Sequence, residues 1–233
     1  MARITRKELK ADKFAQEVEL TVDFFEEHQS EILRYGAVAL VVAAIAVAIW
    51  FYRGHVHNVR EEALAHALQV AQAPVGQAPP GAAISFPTQD AKDKETQKVF
   101  TDLASKYSGS DEGYIAECYL GSMAADQGKL QDAEKHFAKV ADSGDKRYAS
   151  MAKLSLAQIY FGEGKADLGE KTLRSLMDHP TAFVSKEQAA ITLAKLLAPT
   201  KPAEARKLLD PLRTVRGPVS QTAIQAYSDL PPK

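Results

Sequence analysis

The chain has 233 residues, a formal net charge of −1 and a mean hydropathy of −0.25, so we expect one or two domains with a largely polar surface. A near-neutral chain offers no case for a nucleic-acid partner, because such binding needs a basic surface. The single cysteine, Cys118, excludes a disulfide within the chain and does not report the redox compartment.

Residues 1–34 form a charged segment in which 5–33 is predicted to be helical. Thr5 and Glu8 have the spacing of a capping box. Apolar residues recur every three or four positions, at Phe14, Val18, Val22 and Phe25. Such a stripe is typical of an amphipathic helix on a membrane or a partner. The alternative is a solvated helix that simply continues into the segment that follows.

Residues 35–52 predict a transmembrane helix, because they carry no charge between Arg34 and Arg53. A bilayer core of about 30 Å needs roughly 20 helical residues, and this segment is close to that length. Aromatic side chains mark its two ends, at Tyr35 and at Trp50, Phe51 and Tyr52. The competing interpretations are a buried core helix and a signal peptide, but a signal peptide would not begin as late as residue 35.

Basic residues near the predicted span indicate its orientation. Residues 1–34 contain six Lys or Arg, whereas the twenty residues after the span contain only Arg53 and Arg60. Since positive charge is retained on the cytoplasmic side, we expect a cytoplasmic N-terminus and a C-terminal region across the membrane.

Two further segments precede the C-terminal region. Residues 53–73 predict a juxtamembrane helix, and residues 74–88 predict a linker, because they contain four Pro and two Gly. The juxtamembrane helix carries three histidines, at His55, His57 and His66. Their spacing does not match a zinc site, so we expect no metal or other cofactor.

Residues 89–233 contain an internal repeat with a period of 36 residues. Three similar stretches begin at Gly128, Gly164 and Thr200 and bring Lys129, Lys165 and Lys201 into register. A second predicted helix precedes each of them, beginning at Ile115, Met151 and Glu187. A half repeat at 94–107 is predicted to pair with the juxtamembrane helix, and residues 218–230 are predicted to form a capping helix.

This pattern resembles the tetratricopeptide repeat. Leu156, Ala157 and Tyr160 match its first helix, and Ala133 and Phe137 match its second. The resemblance implies an all-α fold in which an N-terminal transmembrane helix is followed by a solenoid of helical hairpins. An unspecific helical bundle is the alternative.

The sequence contains no nucleophile motif and no phosphate-binding glycine loop, so we expect a binding protein rather than an enzyme. Cys118 has no basic neighbour in sequence and is interpreted as a small packed residue. By resemblance to the repeat family, a partner-binding groove would be lined by Cys118, Ser122, Leu154, Gln158, Phe161, Ile191 and Lys195. The alternative is that these side chains pack against the neighbouring hairpin.

The order of segments is similar to that of the bacterial ancillary subunits of the Sec translocon. That resemblance implies a single-pass protein of the inner membrane with its repeats in the periplasm. It implies translocon subunits, a periplasmic folding factor or chaperone, and unfolded exported chains as partners. Two alternatives remain open, namely an envelope scaffold for cell-division or outer-membrane assembly complexes, and an enzyme with a site hidden among the helices.

Overall fold

The computed structural model describes residues 29–77, 81 and 83–231, with side chains from residue 33 onward. The predicted capping box and apolar stripe of the N-terminal segment lie outside these residues. The described part of the chain is all-α, as predicted, with nine α-helices and one short 3-10 helix. The chain divides into two compact units, and the boundary between them follows Val59.

Helix α1 spans Gln29–Gln72 and contains the apolar segment of the first unit. An 18-residue window of this helix has a mean hydropathy of 2.2, and none of that window is buried. By length and composition this stretch is sufficient to cross a membrane. Its large apolar side chains are exposed; Leu40, for example, has 73% of its surface exposed. Exposure of this much apolar surface to water is unfavourable.

The second unit contains the remaining helices. These are α2 (Gln89–Lys106), α3 (Asp111–Asp126), α4 (Leu130–Ala141), α5 (Lys146–Gly162), α6 (Ala166–Asp178), α7 (Lys186–Leu197), α8 (Pro202–Leu209), a 3-10 helix (Asp210–Thr214) and α9 (Pro218–Ser228). From α2 onward each helix packs against the next one in sequence. Because the connections are short, consecutive helices are antiparallel and form a series of hairpins.

The two helices of a hairpin begin in different ways. The first helices begin with side-chain caps; for example, the Ser110 hydroxyl accepts a hydrogen bond from the Gly113 N–H at 3.2 Å. The second helices, α4, α6 and α8, begin after Lys129, Lys165 and Lys201 without a side-chain cap.

Two of the repeating lysines connect successive hairpins. Lys165 Nζ lies 3.1 Å from a Glu134 carboxylate oxygen, and Lys201 Nζ lies 2.9 Å from Glu170. Each pair therefore joins the start of one second helix to the second helix of the preceding hairpin. The first lysine of the series, Lys129, instead donates to the Gln127 side chain in its own turn, at 2.8 Å.

The half repeat at 94–107 packs against residues 63–71 of α1, as the sequence analysis expects. Ala67 shares a core cluster with Phe100 and Leu103, and Ala63, Leu64, Leu68 and Ala71 lie against that cluster. Val70 and Ala73 are also buried. Residues from Arg60 onward are therefore part of the same compact unit as the repeats.

The predicted linker at 74–88 is closed at its base by backbone pairing. The Gly76 N–H donates to the Phe86 carbonyl at 2.9 Å, and the Phe86 N–H donates to the Pro74 carbonyl at 3.0 Å. The segment thus connects α1 and α2 as a loop whose ends are held together.

Helix α9 corresponds to the predicted capping helix. It buries Ala223, Ala226 and Leu230 in the C-terminal core cluster, together with Leu193 and Leu209.

Candidate functional site

The predicted groove residues lie on the first helices of three successive hairpins, α3, α5 and α7. Ser122, Gln158 and Lys195 are exposed, whereas Cys118, Leu154 and Phe161 are half-buried. Ile191 is buried, with 8% exposure, and belongs to the C-terminal core cluster. The exposed side chains on this face are thus polar, and the apolar side chains are wholly or partly packed into the core.

Phe161 shows why the apolar groove positions are half-buried. Its ring occupies the space beside Gly169 of α6, where an added Cβ would lie 2.5 Å from the nearest ring atom. Leu154 also packs against the C-terminal cluster. For these two residues the contacts favour the packing interpretation, whereas Gln158 on the same helix is available to a partner.

Cys118 is half-buried at the α3–α4 interface. Burial and the neighbouring charge of Glu117 raise the pKa of its thiol to about 11. Because the thiolate is the reactive form, such a cysteine is a poor nucleophile at neutral pH. Its environment fits the small packed residue that the sequence suggests.

Glu117 makes a polar contact between α3 and α4 that the sequence analysis did not identify. Its carboxylate lies 2.6 Å from His136 Nδ1 and 3.0 Å from Lys139 Nζ. Burial raises the pKa of Glu117, but the hydrogen bonds from His136 and Lys139 outweigh it and lower the pKa below its ordinary value. The charged carboxylate therefore joins the two helices of this hairpin.

An aromatic row follows the starts of the same first helices. The Tyr114 and Tyr148 rings are 5.6 Å apart, and the Tyr148 and Phe183 rings are 5.1 Å apart. Arg147 lies over Phe183 at 5.7 Å and binds Asp111 at 3.3 Å, so it connects three successive hairpins. The recurrence of an aromatic residue after 34 and 35 positions is the sequence signal that would have revealed this row.

The clefts between hairpins are polar and open. One of them, with a volume of about 630 Å³, lies between the turns before α4 and α6 and is lined by residues such as Lys129, Asp132, Glu163 and Lys165. Small-molecule sites are usually enclosed and apolar, and this cleft is neither. Among the described residues, no group of His, Cys, Asp or Glu is arranged to hold a metal ion.

Comparison with protein families gives one match. A model described as a tetratricopeptide repeat-like domain matches residues 23–207. No curated protein and no solved structure matches the chain. The match covers most of the chain, including the apolar part of α1 and the helical hairpins from α2 to α8. The chain therefore belongs to the family of tetratricopeptide repeat-like domain proteins.

Proposed function

We propose that this protein is a membrane-anchored protein–protein interaction module that acts near the Sec translocon. The observation that carries the proposal is an array of tetratricopeptide-like hairpins preceded, in the same chain, by an apolar helix whose side chains are exposed. An anchor confines a binding domain to one membrane face and raises its effective concentration there.

In this proposal the protein crosses the bacterial inner membrane once, with its N-terminus in the cytoplasm and its repeats in the periplasm. Six Lys or Arg before the span and two within twenty residues after it support this orientation. The order of segments, which is similar to that of ancillary translocon subunits, supports the partners. The repeats would tether a periplasmic folding factor near the channel exit or receive exported chains directly.

The proposed binding surface is the open face of α3, α5 and α7, which we call the groove face. Ser122, Gln158 and Lys195 are its exposed positions, and Leu154, Phe161 and Cys118 lie between them with part of their surface free. This combination suits an extended peptide or a partner helix that makes polar contacts along its length. No catalytic step is assigned to these residues.

The test is binding by the purified full-length protein in lipid nanodiscs. A fluorescently labelled exported precursor is presented unfolded and, in parallel, folded, and its anisotropy is followed. We expect the unfolded precursor to bind. The double substitution Ser122→Arg and Gln158→Arg should weaken that binding. Lys171→Glu, at an exposed position of α6 outside the groove face, is the matched control and should have no effect.

An envelope scaffold for cell-division or outer-membrane assembly complexes is the second candidate. One observation favours it: the open groove positions are polar while Ile191 and much of Phe161 are used by the core. Such a face offers little apolar surface to an unfolded client. If the unfolded precursor does not bind, the proposal of client binding is wrong and the envelope-scaffold function is the remaining candidate.

A further inference from the structure

The charges of the repeat unit are divided along its stack of hairpins. Each first helix contacts the next one along the stack, from α3 to α5, α7 and α9, so position in the chain corresponds to position in the stack. Residues 60–145 contain 14 acidic and 8 basic residues, whereas residues 146–231 contain 8 acidic and 13 basic residues. One half of the stack is therefore acidic and the other half is basic.

The same division appears along one edge of the unit. Because consecutive helices are antiparallel, every second connection lies at the same end of the hairpins. Arg60 lies at this end too, since its Nε is 3.9 Å from a carboxylate oxygen of Glu112 in the first turn of α3. We give the name connection edge to residues 60–62, these connections and the helical turn on either side of each. The connections are 107–110, 142–145, 179–185 and 215–217.

Acidic and basic residues occupy opposite halves of the connection edge. Up to residue 145 it holds six acidic and three basic residues, and from residue 146 it holds five basic and two acidic residues. The acidic residues of the first half are Glu61, Glu62, Asp111, Glu112, Asp142 and Asp145. The basic residues of the second half are Lys146, Arg147, Lys186, Arg213 and Arg216. The edge is neutral as a whole, but its halves have opposite net charge.

Some of these charges are available to a partner. Glu62 and Asp142 are exposed on the acidic half, and Lys146, Lys186 and Arg216 are exposed on the basic half. Within the part of the chain that the structure describes, none of the five makes an ion pair. Helices pack roughly 10 Å apart, so four steps separate the ends of the edge by about 40 Å. This distance is several times the Debye length of about 8 Å, and the two ends do not neutralise each other within one molecule.

Apolar side chains accompany the charges on the basic half. Phe183 is 40% exposed, although its ring packs against Tyr148 at 5.1 Å, and Val215 is 42% exposed. Each belongs to a connection between helices. An aromatic ring and an aliphatic side chain within a charged rim are the usual composition of a protein–protein interface.

The order of the landmarks makes this edge complementary to itself. The middle one of the five is the connection 142–145. A two-fold rotation about it brings residues 60–62 of one copy against 215–217 of the other. It likewise brings 107–110 against 179–185, so an acidic half faces a basic half in both places. The edge is about 40 Å long and two helices, or roughly 20 Å, wide, which gives roughly 800 Å² per partner, the area that a specific dimer needs.

We propose that two copies of this chain associate through their connection edges, antiparallel to each other, with the two-fold axis near Gly144. Glu62 of one copy faces Arg216 of the other, and two-fold symmetry repeats this contact. Complementary charge then selects a second copy, since no other orientation of the two edges pairs opposite charges at both ends. The contact does not use the groove face, which stays open to a different partner.

Cysteine crosslinking of the full-length protein in detergent tests the position of the axis. In a Cys118→Ser background, Gly144→Cys introduces a thiol at the middle connection, where an added Cβ meets nothing within 4 Å. Gly162→Cys is the matched control, because Gly162 is also exposed but ends α5 at the opposite edge. An oxidant should produce covalent dimers of the first variant and not of the second. Equal crosslinking of the two, or none of either, would overturn the proposal.

An exchange of charges tests the pairing itself. The mass of the full-length protein in detergent is measured by sedimentation, and Glu62→Lys and Arg216→Glu should each convert the dimer to a monomer, because each places like charges together twice. An equimolar mixture of the two variants should restore the dimer, a result that loss of folding cannot produce. A mixture that stays monomeric would contradict the pairing of these two residues.

Salt provides the last check. The dimer should dissociate as salt rises, because the Debye length falls from about 10 Å at 0.1 M to about 3 Å at 1 M. A dimer that persists in high salt and in both charge variants is held by other contacts, such as the apolar helix, and would overturn the proposal. A wild-type protein that is monomeric in low salt would overturn it as well and would leave the edge to a partner of another kind.

Discussion

At the scale of residues, Gly169 shows how one repeat position differs between hairpins. The equivalent positions of the neighbouring hairpins hold Ala133 and Ala205, both fully buried. At position 169 a Cβ would lie 2.5 Å from the Phe161 ring and 2.9 Å from the Ala157 carbonyl oxygen. The ring can yield in part, but the backbone oxygen cannot.

We therefore expect Gly169→Ala to lower the free energy of unfolding by about 1–3 kcal/mol through overpacking. Gly162→Ala is the control, because its Cβ would meet only Leu130, at an ordinary 3.5 Å. That substitution should be neutral or stabilising by up to about 1 kcal/mol, since alanine is the better helix former. Urea unfolding followed by circular dichroism measures both, and equal midpoints would contradict the close packing.

Glu117 gives a prediction about pH. Its pKa lies below the ordinary value of 4.5 in the folded protein, so its stabilisation is present above about pH 4.5 and is lost as the pH falls through the lowered pKa. Glu117→Gln should cost about 1–3 kcal/mol at pH 7, because His136 and Lys139 lose a charged acceptor. The cost should shrink in acid, where the wild-type carboxylate is itself protonated.

Unfolding of wild type and Glu117→Gln in urea across pH 3–7 checks this. Glu134→Gln is the comparison, because its contact with Lys165 joins more exposed side chains and should contribute about 0–1 kcal/mol. A cost for Glu117→Gln that does not shrink once Glu117 is protonated would mean that the charge of its carboxylate contributes nothing to the contact.

The sequence predicts the burial of individual residues correctly where the same packing contact recurs in each repeat. The small and large residues of the hairpins, such as Ala133, Phe137 and Ala157, are buried as the repeat pattern implies. Ile191 occupies a groove position in the pattern but is buried in the C-terminal core cluster, a contact that depends on tertiary packing and not on the repeat spacing. The contacts of Arg147 join three hairpins and depend on packing that no single spacing encodes.

At the scale of elements, residues 60–73 belong to the unit that the repeats form, in agreement with the predicted pairing of the juxtamembrane helix with the half repeat. The sequence suggests a boundary at the linker, because four prolines in fifteen residues usually separate domains. The paired backbone of Val75 and Phe86 instead closes the segment into a loop inside the first hairpin. The positions of the helices were predictable from the apolar periodicity of the sequence. The closure of the loop was not, because it depends on a contact between two residues eleven positions apart.

Ala67→Asp should therefore destabilise the repeats. Ala67 is 1% exposed beside Phe100, and an unpaired charge there costs several kcal/mol. Ala65→Asp, at an exposed position two residues earlier, is the control and should change stability by less than about 0.5 kcal/mol. Thermal unfolding of the repeat unit measures the effect of both substitutions.

Truncation provides an independent check on the same element. A fragment of residues 60–233 should unfold cooperatively, while a fragment of residues 89–233 should unfold at lower urea concentration because Phe100 and Leu103 lose their cover. Equal midpoints would show that residues 60–73 contribute nothing to the unit.

At the scale of the whole molecule, the account predicts a transmembrane topology. In a Cys118→Ser background, Lys195→Cys should react with a membrane-impermeant maleimide added to cells with a permeabilised outer membrane. Ala2→Cys should react only after the inner membrane is dissolved. The reverse pattern would place the repeats in the cytoplasm and would contradict the orientation drawn from the basic residues.

The central claim is that the groove face binds proteins of the export machinery or their clients at the membrane, and in-cell photo-crosslinking of the full-length protein tests it most directly. Photoreactive residues are placed at Ser122 and Gln158, with Lys171 as the control outside the groove face, and adducts are identified by mass spectrometry. The account predicts translocon subunits, a periplasmic folding factor or exported chains at Ser122 and Gln158, and not at Lys171. Adducts only to division or outer-membrane assembly proteins, or only to cytosolic proteins, would contradict it.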